Sequence, residues 1–363
     1  MAPVLLTVSG VIAPDTAEKI AQGARPRADY FALAQAFDAD IMDYAAARRN
    51  SGWFGWLLER LAGPNLLLAW ACYCRRQHYN VIVTDGEQVG IPLAGLLKYA
   101  MIAGRRARHV MIVHILSVGK KMFLFDLLGL QSHIDIFLVY ATWQQQFIQR
   151  RWKVSPARVV FTPFMVDADF FAPDTVTPNL TARPMICSVG LESRDYPTLI
   201  QAVRGLDIQV IIAAASPWAR QSDSTQGQDI PENVTLQRFS QYELRQLYAD
   251  SRFVVMPLLN VNYQAGVTAI LEAMAMGRAV ICSRTPGQTD VVIDGETGMY
   301  VPPGDPDALR AAIMHLINHP DQAARMGQAG RRRIEHEMSL DHYAARLGRL
   351  VARIQADVEA VTR

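Results

Sequence analysis

Short runs of β-branched and aliphatic residues, apolar at nearly every position, alternate with helix-length segments along most of the chain. This alternation restricts the fold more than any single motif does. In the first half the runs lie at residues 4–8, 81–84, 109–113, 136–139 and 159–162. In the second they lie at 185–189, 209–213, 234–236, 253–256, 279–282 and 298–301. A strand with one wet face alternates apolar and polar residues, whereas a run that is apolar throughout must be covered on both sides, as parallel strands are beneath crossover helices. The fold class is therefore α/β. A chain of 363 residues exceeds one ordinary core and suits two, so the runs divide between two doubly wound, Rossmann-like domains. The division falls at 173–184, a polar stretch with three prolines and neither period. Residues 1–172 then form one domain and 185–336 the other, with 337–363 a long amphipathic helix expected to cross back to the first. Helix starts in the second domain are well marked. Ser240 with Glu243 makes a capping box, and Asp305 followed by Pro306 supplies a cap and then a proline at the first helical position.

Composition excludes several classes. Half the residues are hydrophobic, 19% are charged and the formal net charge is +2, which describes a globular chain with no overall attraction to nucleic acid. The first 180 residues carry 18 Lys and Arg against 14 Asp and Glu, a mild basic excess compatible with an anionic acceptor or membrane surface. Cys72, Cys74, Cys187 and Cys282 form neither a CxxC pair nor a disulfide framework, and read as reduced thiols of a cytosolic protein. The opening run at 4–8 lacks a preceding basic region, and Pro14-Asp15 follows where a cleavage site would lie, so it reads as a strand and not a signal peptide. No apolar run approaches the ~18–20 residues needed to span a bilayer. The expected location is cytoplasmic, with peripheral attachment at the inner face of the membrane left open.

The densest chemistry lies in Gln264-Ala265-Gly266-Val267-Thr268-Ala-Ile-Leu-Glu272-Ala-Met-Ala-Met-Gly277. Gly266 precedes a helix whose first turn begins with Val267 and Thr268. Such a start holds anions, because its N–H groups and the helix dipole both face the ligand. About two turns on, Glu272 offers a carboxylate that can accept two hydrogen bonds from a ribose diol. Taken alone, the segment reads more readily as an ordinary core helix with a surface glutamate.

Its surroundings carry a resemblance. Glu272-Ala-Met-Ala-Met-Gly277 is followed by Pro286-Gly287, then Asp294-Gly295 to Gly298, then Val301-Pro-Pro-Gly304-Asp305. Upstream stand Ser188-Val-Gly190 with Arg194-Asp-Tyr-Pro, and Arg238-Phe239 before the capped helix; Val166-Asp167-Ala-Asp-Phe170 stands at the end of the first domain. This ordered set resembles the retaining glycosyltransferases of family 4 (glycosyltransferase group 1), densest from about 185 to 335. The resemblance implies the GT-B fold, with two Rossmann-like domains facing across a cleft, and a sugar moved from a nucleoside-diphosphate sugar to a hydroxyl acceptor. In that family Glu272 would hold the ribose, and the backbone of Gly266, Val267 and Thr268 would hold the diphosphate. Arg194 would supply the phosphate cation beside Gly190, Arg238 and Phe239 would meet the base, and Gln264 with Ala265 would lie against the sugar. Three positions depart from the pattern. Gln264 replaces the first of two glutamates, which puts the donor sugar in doubt. Leu191 replaces an arginine, and Phe164-Met165 replaces Asn-Gly.

In the first domain, His114 ends a strand at the carboxyl edge, where doubly wound sheets bind ligands. The resemblance gives it contact with the transferred sugar; a histidine bonded to a neighbouring backbone carbonyl is the alternative. Gly10, after the first strand, allows close backbone approach to diphosphate or acceptor, as an ordinary turn glycine also would. Asp85-Gly86-Glu87 reads either as an acceptor contact or as a helix cap. No DxD-like metal motif stands in a suitable position, so neither metal nor other cofactor is expected beyond the nucleotide-sugar co-substrate, for which the resemblance favours UDP. The acceptor is a glycan, glycolipid or small molecule. Trp53-Phe-Gly-Trp56-Leu-Leu and 66–70 are unusually apolar, and Arg105, Arg106, Arg108, Lys120 and Lys121 add a cationic rim. These suit an interfacial helix and a lipid-linked acceptor, or else packed core or a dimer contact. Two rivals share the residues: a nucleotide-sugar 2-epimerase of the same fold, disfavoured by Gln264, and a non-catalytic nucleotide- or sugar-binding relic.

Overall fold

The computed structural model describes residues 4–99, 107–179, 181–213 and 229–362. Arg105, Arg106 and all but the last residue of the polar 221–229 stretch lie outside the described residues. The chain divides into two units. Unit 1 comprises Met1–Lys19, Arg27–Thr162 and Asp341–Arg363, and unit 2 comprises Ile20–Pro26 and Pro163–Leu340.

Unit 1 holds a six-stranded parallel sheet of β1 (Val4–Thr7), β2 (Ala39–Met42), β3 (Val81–Asp85), β4 (Arg108–Val113), β5 (Ile136–Val139) and β6 (Val159–Phe161), in the order β2-β1-β3-β4-β5-β6. Strand β2 is the one that uniform apolarity does not announce. It lies at the sheet edge, where Asp40 is exposed and accepts a hydrogen bond from the Tyr79 hydroxyl at 2.9 Å. An edge strand needs apolar cover on fewer sides, so its sequence is mixed. The final helix, Leu340–Thr362, packs within unit 1. Its Tyr343 hydroxyl meets that of Tyr140 at 2.7 Å, both rings buried, and Arg346 donates to the Thr162 hydroxyl at 3.3 Å.

Unit 2 holds β7 (Met185–Val189), β8 (Gln209–Ala213), β9 (Val234–Gln237), β10 (Phe253–Met256), β11 (Ala279–Ser283) and β12 (Gly298–Val301), all parallel, in the order β12-β11-β10-β7-β8-β9. Every residue of β10 and β11 is buried. The Val267–Ala275 helix buries seven of its nine residues against this sheet, so it is fixed in place by apolar contact along nearly its whole length. The capping box is formed as the sequence indicates: the Ser240 hydroxyl accepts from Glu243 N, and the Glu243 carboxylate accepts from Ser240 N. The chain joins unit 2 before the proline-rich stretch. Val166, Ala168, Phe170 and Phe171 enter the same core as Cys187, Tyr248 and Met274, because their apolar side chains find cover there.

One side chain ties that segment down. The Arg331 guanidinium donates to the carbonyls of Ala168 and Phe171, each at 2.9 Å, and of Ala275 at 2.8 Å, the last at the end of the Val267–Ala275 helix. Replacing it leaves several carbonyls without their charged donor. Arg331→Met is expected to lower the unfolding free energy by roughly 2–4 kcal/mol, read from urea denaturation; an unchanged midpoint contradicts this role.

Candidate functional site

Parallel sheets carry their ligand-binding loops at the carboxyl ends of the strands, with most room where the strand order reverses. In unit 2 that point lies between β7 and β10. The turn after β7 and the loop after β10 are joined there by backbone bonds: Leu259 N to Ser193 O and Asp195 N to Pro257 O, both at 3.0 Å, with Arg194 bridged to Leu258. This pairing sets Arg194 against the start of the Val267–Ala275 helix.

Arg194 is only 6% exposed. Its Nε donates to Val189 O at 2.9 Å and its Nη1 to Glu192 O at 2.7 Å. The guanidinium fills space that two glycines leave. A Cβ on Gly190 would collide with Nη2, and one on Gly266 would lie 3.2 Å from Nη1. Both glycines also have left-handed backbone, with φ of 101° and 74°. A solvated surface arginine is thereby ruled out. Burial lowers the Arg194 pKa from the ordinary arginine value, so its charge is held at a cost that an anion beside it would offset.

Gly266 caps the helix without a side-chain bond, so the first-turn amides of Val267 and Thr268 point outward from the helix end. Glu272, on the same helix, is buried at 5% exposure, not at the surface. Its Oε2 accepts from the Tyr248 hydroxyl at 2.8 Å. Burial pushes its carboxyl up to about 7, with the Tyr248 bond opposing. At neutral pH the group is balanced between acid and carboxylate, and a diol donating two hydrogen bonds would tip it to the ionised form.

Around this centre, Gln264 is half-buried and Ala265 buried. The Ala265 carbonyl accepts at 2.7 Å from Nε2 of Gln288, a wholly buried side chain. Gly287 allows this approach, since a Cβ there would strike the Tyr263 backbone. Phe239 packs on the same core and Arg238 is exposed. The structure thus gathers Gly190, Arg194, Gly266 and the helix start into one place. Two residues that sequence reasoning missed support them. Tyr248 reads as an ordinary core aromatic on its helix, and Gln288 carries no motif of its own. In sequence Gln288 is only a glutamine after Pro286-Gly287, and its burial is decided by the fold.

Unit 1 has its own reversal between β1 and β3. The Ser9 hydroxyl donates to Asp85 O at 2.9 Å, tying the turn that contains Gly10 to the end of β3. A Cβ on Gly10 would meet nothing within 4 Å, so packing alone does not require glycine there. His114 Nε2 lies 3.2 Å from Asp85 Oδ1, and the His114 carbonyl accepts from Gln144 Nε2 at 2.6 Å. Burial works against the His114 charge, but the Asp85 hydrogen bond and the charges of Asp85, Glu87 and Asp29 carry its pKa above the ordinary histidine value. Asp29 joins this group although its sequence marks it only as a first-turn acid; burial and the Asp85 charge push it up to about 6. Of the Asp85-Gly86-Glu87 loop, Glu87 is structural. It is 1% exposed, accepts from Ile115 N and lies 3.6 Å from Lys121 Nζ, which removes it from contact with an acceptor. Two residues of the expected cationic rim are likewise engaged: Lys121 with Glu87, and Arg108 with Asp135 at 2.9 Å.

Residues 191–319 match the family model described as Glycosyl transferases group 1. The matched stretch lies wholly within unit 2. The chain is 31% identical over 139 residues to D-rhamnosyltransferase WbpZ of Pseudomonas aeruginosa, covering 38% of this chain and 33% of that protein. It is 29% identical over 203 residues to the MMP alpha-(1->4)-mannosyltransferase of Mycolicibacterium hassiacum, covering 53% and 47%. The chain therefore spans less than half the length of each of these curated relatives. Among solved structures it resembles sucrose-phosphate synthase from Thermosynechococcus elongatus, with a TM-score of 0.74, 18% identity and coverage of 98% and 100%. It also resembles Anabaena HepE in complex with UDP, with a TM-score of 0.70, 15% identity and coverage of 97% and 100%. The fold of the chain is accordingly the two-domain α/β GT-B fold. Among the described residues no helix is long and apolar enough to cross a membrane, and no three His, Cys, Asp or Glu side chains gather as a metal-binding group.

The buried Glu272 makes stability depend on pH. Its folded pKa of about 7 stands above the ordinary 4.5, so between those values the unfolded chain has lost a proton that the folded chain keeps. Stability from this group is full below pH 4.5 and falls as pH rises to 7 and beyond. Glu272→Gln removes the effect, and its unfolding free energy relative to wild type should gain up to about 3 kcal/mol between acid and mildly alkaline pH. A pH-independent difference contradicts the assignment. In unit 1, Asp85→Asn should shift the His114 imidazole pKa downward in an NMR titration; an unmoved pKa would mean that Asp85 does not hold the ring's charge.

Proposed function

We propose that the protein is a family 4 retaining glycosyltransferase that moves a sugar from a UDP-sugar to a hydroxyl acceptor without a divalent ion. The observation that supports this most strongly is the seating of Arg194 between Gly190 and Gly266, at the start of the helix that carries buried Glu272. A buried cation, an uncapped helix start and a carboxyl poised near neutrality suit a nucleoside diphosphate in three separate parts. The diphosphate takes the Arg194 charge and the amides of Gly266, Val267 and Thr268. The ribose diol takes Glu272. The base lies toward Arg238 and Phe239, and the sugar toward Gln264 and Ala265.

The chemistry follows from that placement. The bond from the anomeric carbon to the diphosphate oxygen breaks, and negative charge grows on the leaving phosphate. Arg194 and the helix start stabilise that charge at the moment it forms. The acceptor oxygen bonds to the anomeric carbon from the leaving-group face while its proton passes to the departing phosphate oxygen, so configuration is retained. In unit 1, His114 held by Asp85, together with the open backbone at Gly10, serves the transferred sugar and the acceptor hydroxyl. Support for UDP comes from HepE, whose structures contain UDP and UDP-glucose; a relative from Mycolicibacterium smegmatis is named for GDP-mannose.

Calorimetry with UDP and GDP tests the donor site. Because the diol favours ionised Glu272, affinity should rise by up to roughly tenfold from pH 6 to pH 8. Arg194→Ala should weaken binding by about ten- to a hundredfold, the size of a lost charge-assisted contact. Incubation with UDP- and GDP-sugars, with released nucleotide and product followed by mass spectrometry and the anomeric configuration read by NMR, tests the reaction. An inverted product overturns retention, and nucleotide binding without turnover of any sugar leaves only a binding function.

A further inference from the structure

The apolar 53–70 region, which reads as one interfacial segment in sequence, divides into two parts with different fates. Leu67, Leu68 and Ala69, in the Pro64–Arg75 helix, are wholly buried. The preceding helix, Tyr44–Ala62, bends at Gly52, where φ is 56° and ψ −155°. Beyond the bend one face is pressed onto its neighbour: a Cβ on Gly55 would lie 2.9 Å from Leu67 Cδ1. Phe54 extends that contact, its ring edge-on to Trp70 at 5.1 Å.

The face turned away from Gly55 is built differently. Helical spacing places Trp53, Trp56, Leu57, Arg60 and Leu61 on it. Trp53 is 78% exposed, Trp56 60% and Leu61 75%. Single exposed apolar residues are ordinary, but two tryptophans and a leucine on less than three turns of one helix are not. The helix that carries them is net positive. The helix holds Arg48, Arg49 and Arg60 against Glu59 alone, and Glu59 is taken up by a paired contact with Arg48. The Arg60 guanidinium lies over the Trp56 ring, 5.5 Å from its centre.

We propose that this face, residues 53–61, is a docking surface for an anionic lipid bilayer. Indole rings with an arginine beside them match the headgroup level of a membrane, where the ring lies among acyl carbons and the cation meets phosphate. A protein partner would need a shaped apolar groove, whereas a bilayer needs only protruding rings and a cationic border, which is what the helix presents. The Phe54–Trp70 contact and the closeness of Gly55 to Leu67 fix the helix, so the rings are displayed by packed structure. Binding here is independent of the donor site and would bring a lipid-carried acceptor into the protein's reach.

Vesicle flotation of the full chain tests this. Wild type should float with phosphatidylglycerol–phosphatidylcholine vesicles at low salt, and largely remain below with pure phosphatidylcholine or at high salt. Trp53→Ser with Trp56→Ser should reduce the bound fraction by roughly tenfold, and Arg49→Glu with Arg60→Glu should abolish the preference for the anionic lipid. All these positions are exposed, so melting temperature and nucleotide affinity should stay at wild-type values. No flotation of wild type, or equal flotation of the tryptophan variant, overturns the proposal. So does a wild-type dimer in light scattering that the tryptophan variant dissolves, since the occupant would then be a second copy of the chain.

Discussion

The donor site proposed for this protein depends on where a parallel sheet reverses its strand order. In unit 2 the order β12-β11-β10-β7-β8-β9 puts β7 beside β10, although β8 and β9 come between them in the chain. Their carboxyl ends then open side by side, and the loops that leave them are forced together. Arg194 comes from one loop and Gly266 from the other, and the backbone bonds from Leu259 to Ser193 and from Asp195 to Pro257 fix their approach. Unit 1 repeats the arrangement with β1 beside β3, and there Ser9, Asp85 and His114 collect. The sites are consequences of topology before they are consequences of side-chain chemistry.

The topology also explains why charged groups are buried at such points. Arg194 and Glu272 both lie in the core, and burial disfavours the charge of each, lowering one pKa and raising the other. A purely structural core would be more stable with apolar residues at both positions. The cost is intelligible if a ligand offsets it at both, with an anion beside the guanidinium and further hydrogen-bond donors at the carboxyl. In unit 1 the opposite balance holds. Asp85, Glu87 and Asp29 surround His114 and favour its protonated form, so the group there is equipped to hold a proton or donate a hydrogen bond.

Much of this was legible in the sequence, for physical reasons. Interior parallel strands are apolar on both faces, and so all of them could be read; β2 could not, because an edge strand with Asp40 outward lacks that pattern. The Ser240 and Asp305 caps were visible because capping requires particular side chains at fixed spacing. The helix start at Gly266 was visible for a similar reason. Tyr248, Gln288 and Asp29 were not visible, since each acts through a contact made across the fold and has an ordinary local context. Glu272 was recognised, but its depth was not: a glutamate by type argues for exposure, and only the core residues packed around it reverse that. The apolar 53–70 region shows the limit most directly. Composition cannot separate Leu68, which is core, from Trp53, which is surface; the bend at Gly52 and the contact at Gly55 make that division.

The central claim is that the start of the Val267–Ala275 helix, Arg194 and Glu272 together hold a nucleoside diphosphate. The most direct measurement is diffraction from crystals of the full chain grown with UDP. The account predicts diphosphate oxygens within hydrogen-bonding distance of the Gly266–Thr268 amides and of Arg194, with both ribose hydroxyls on the Glu272 carboxylate. Nucleotide density at any other place, or a ribose turned away from Glu272, would contradict it.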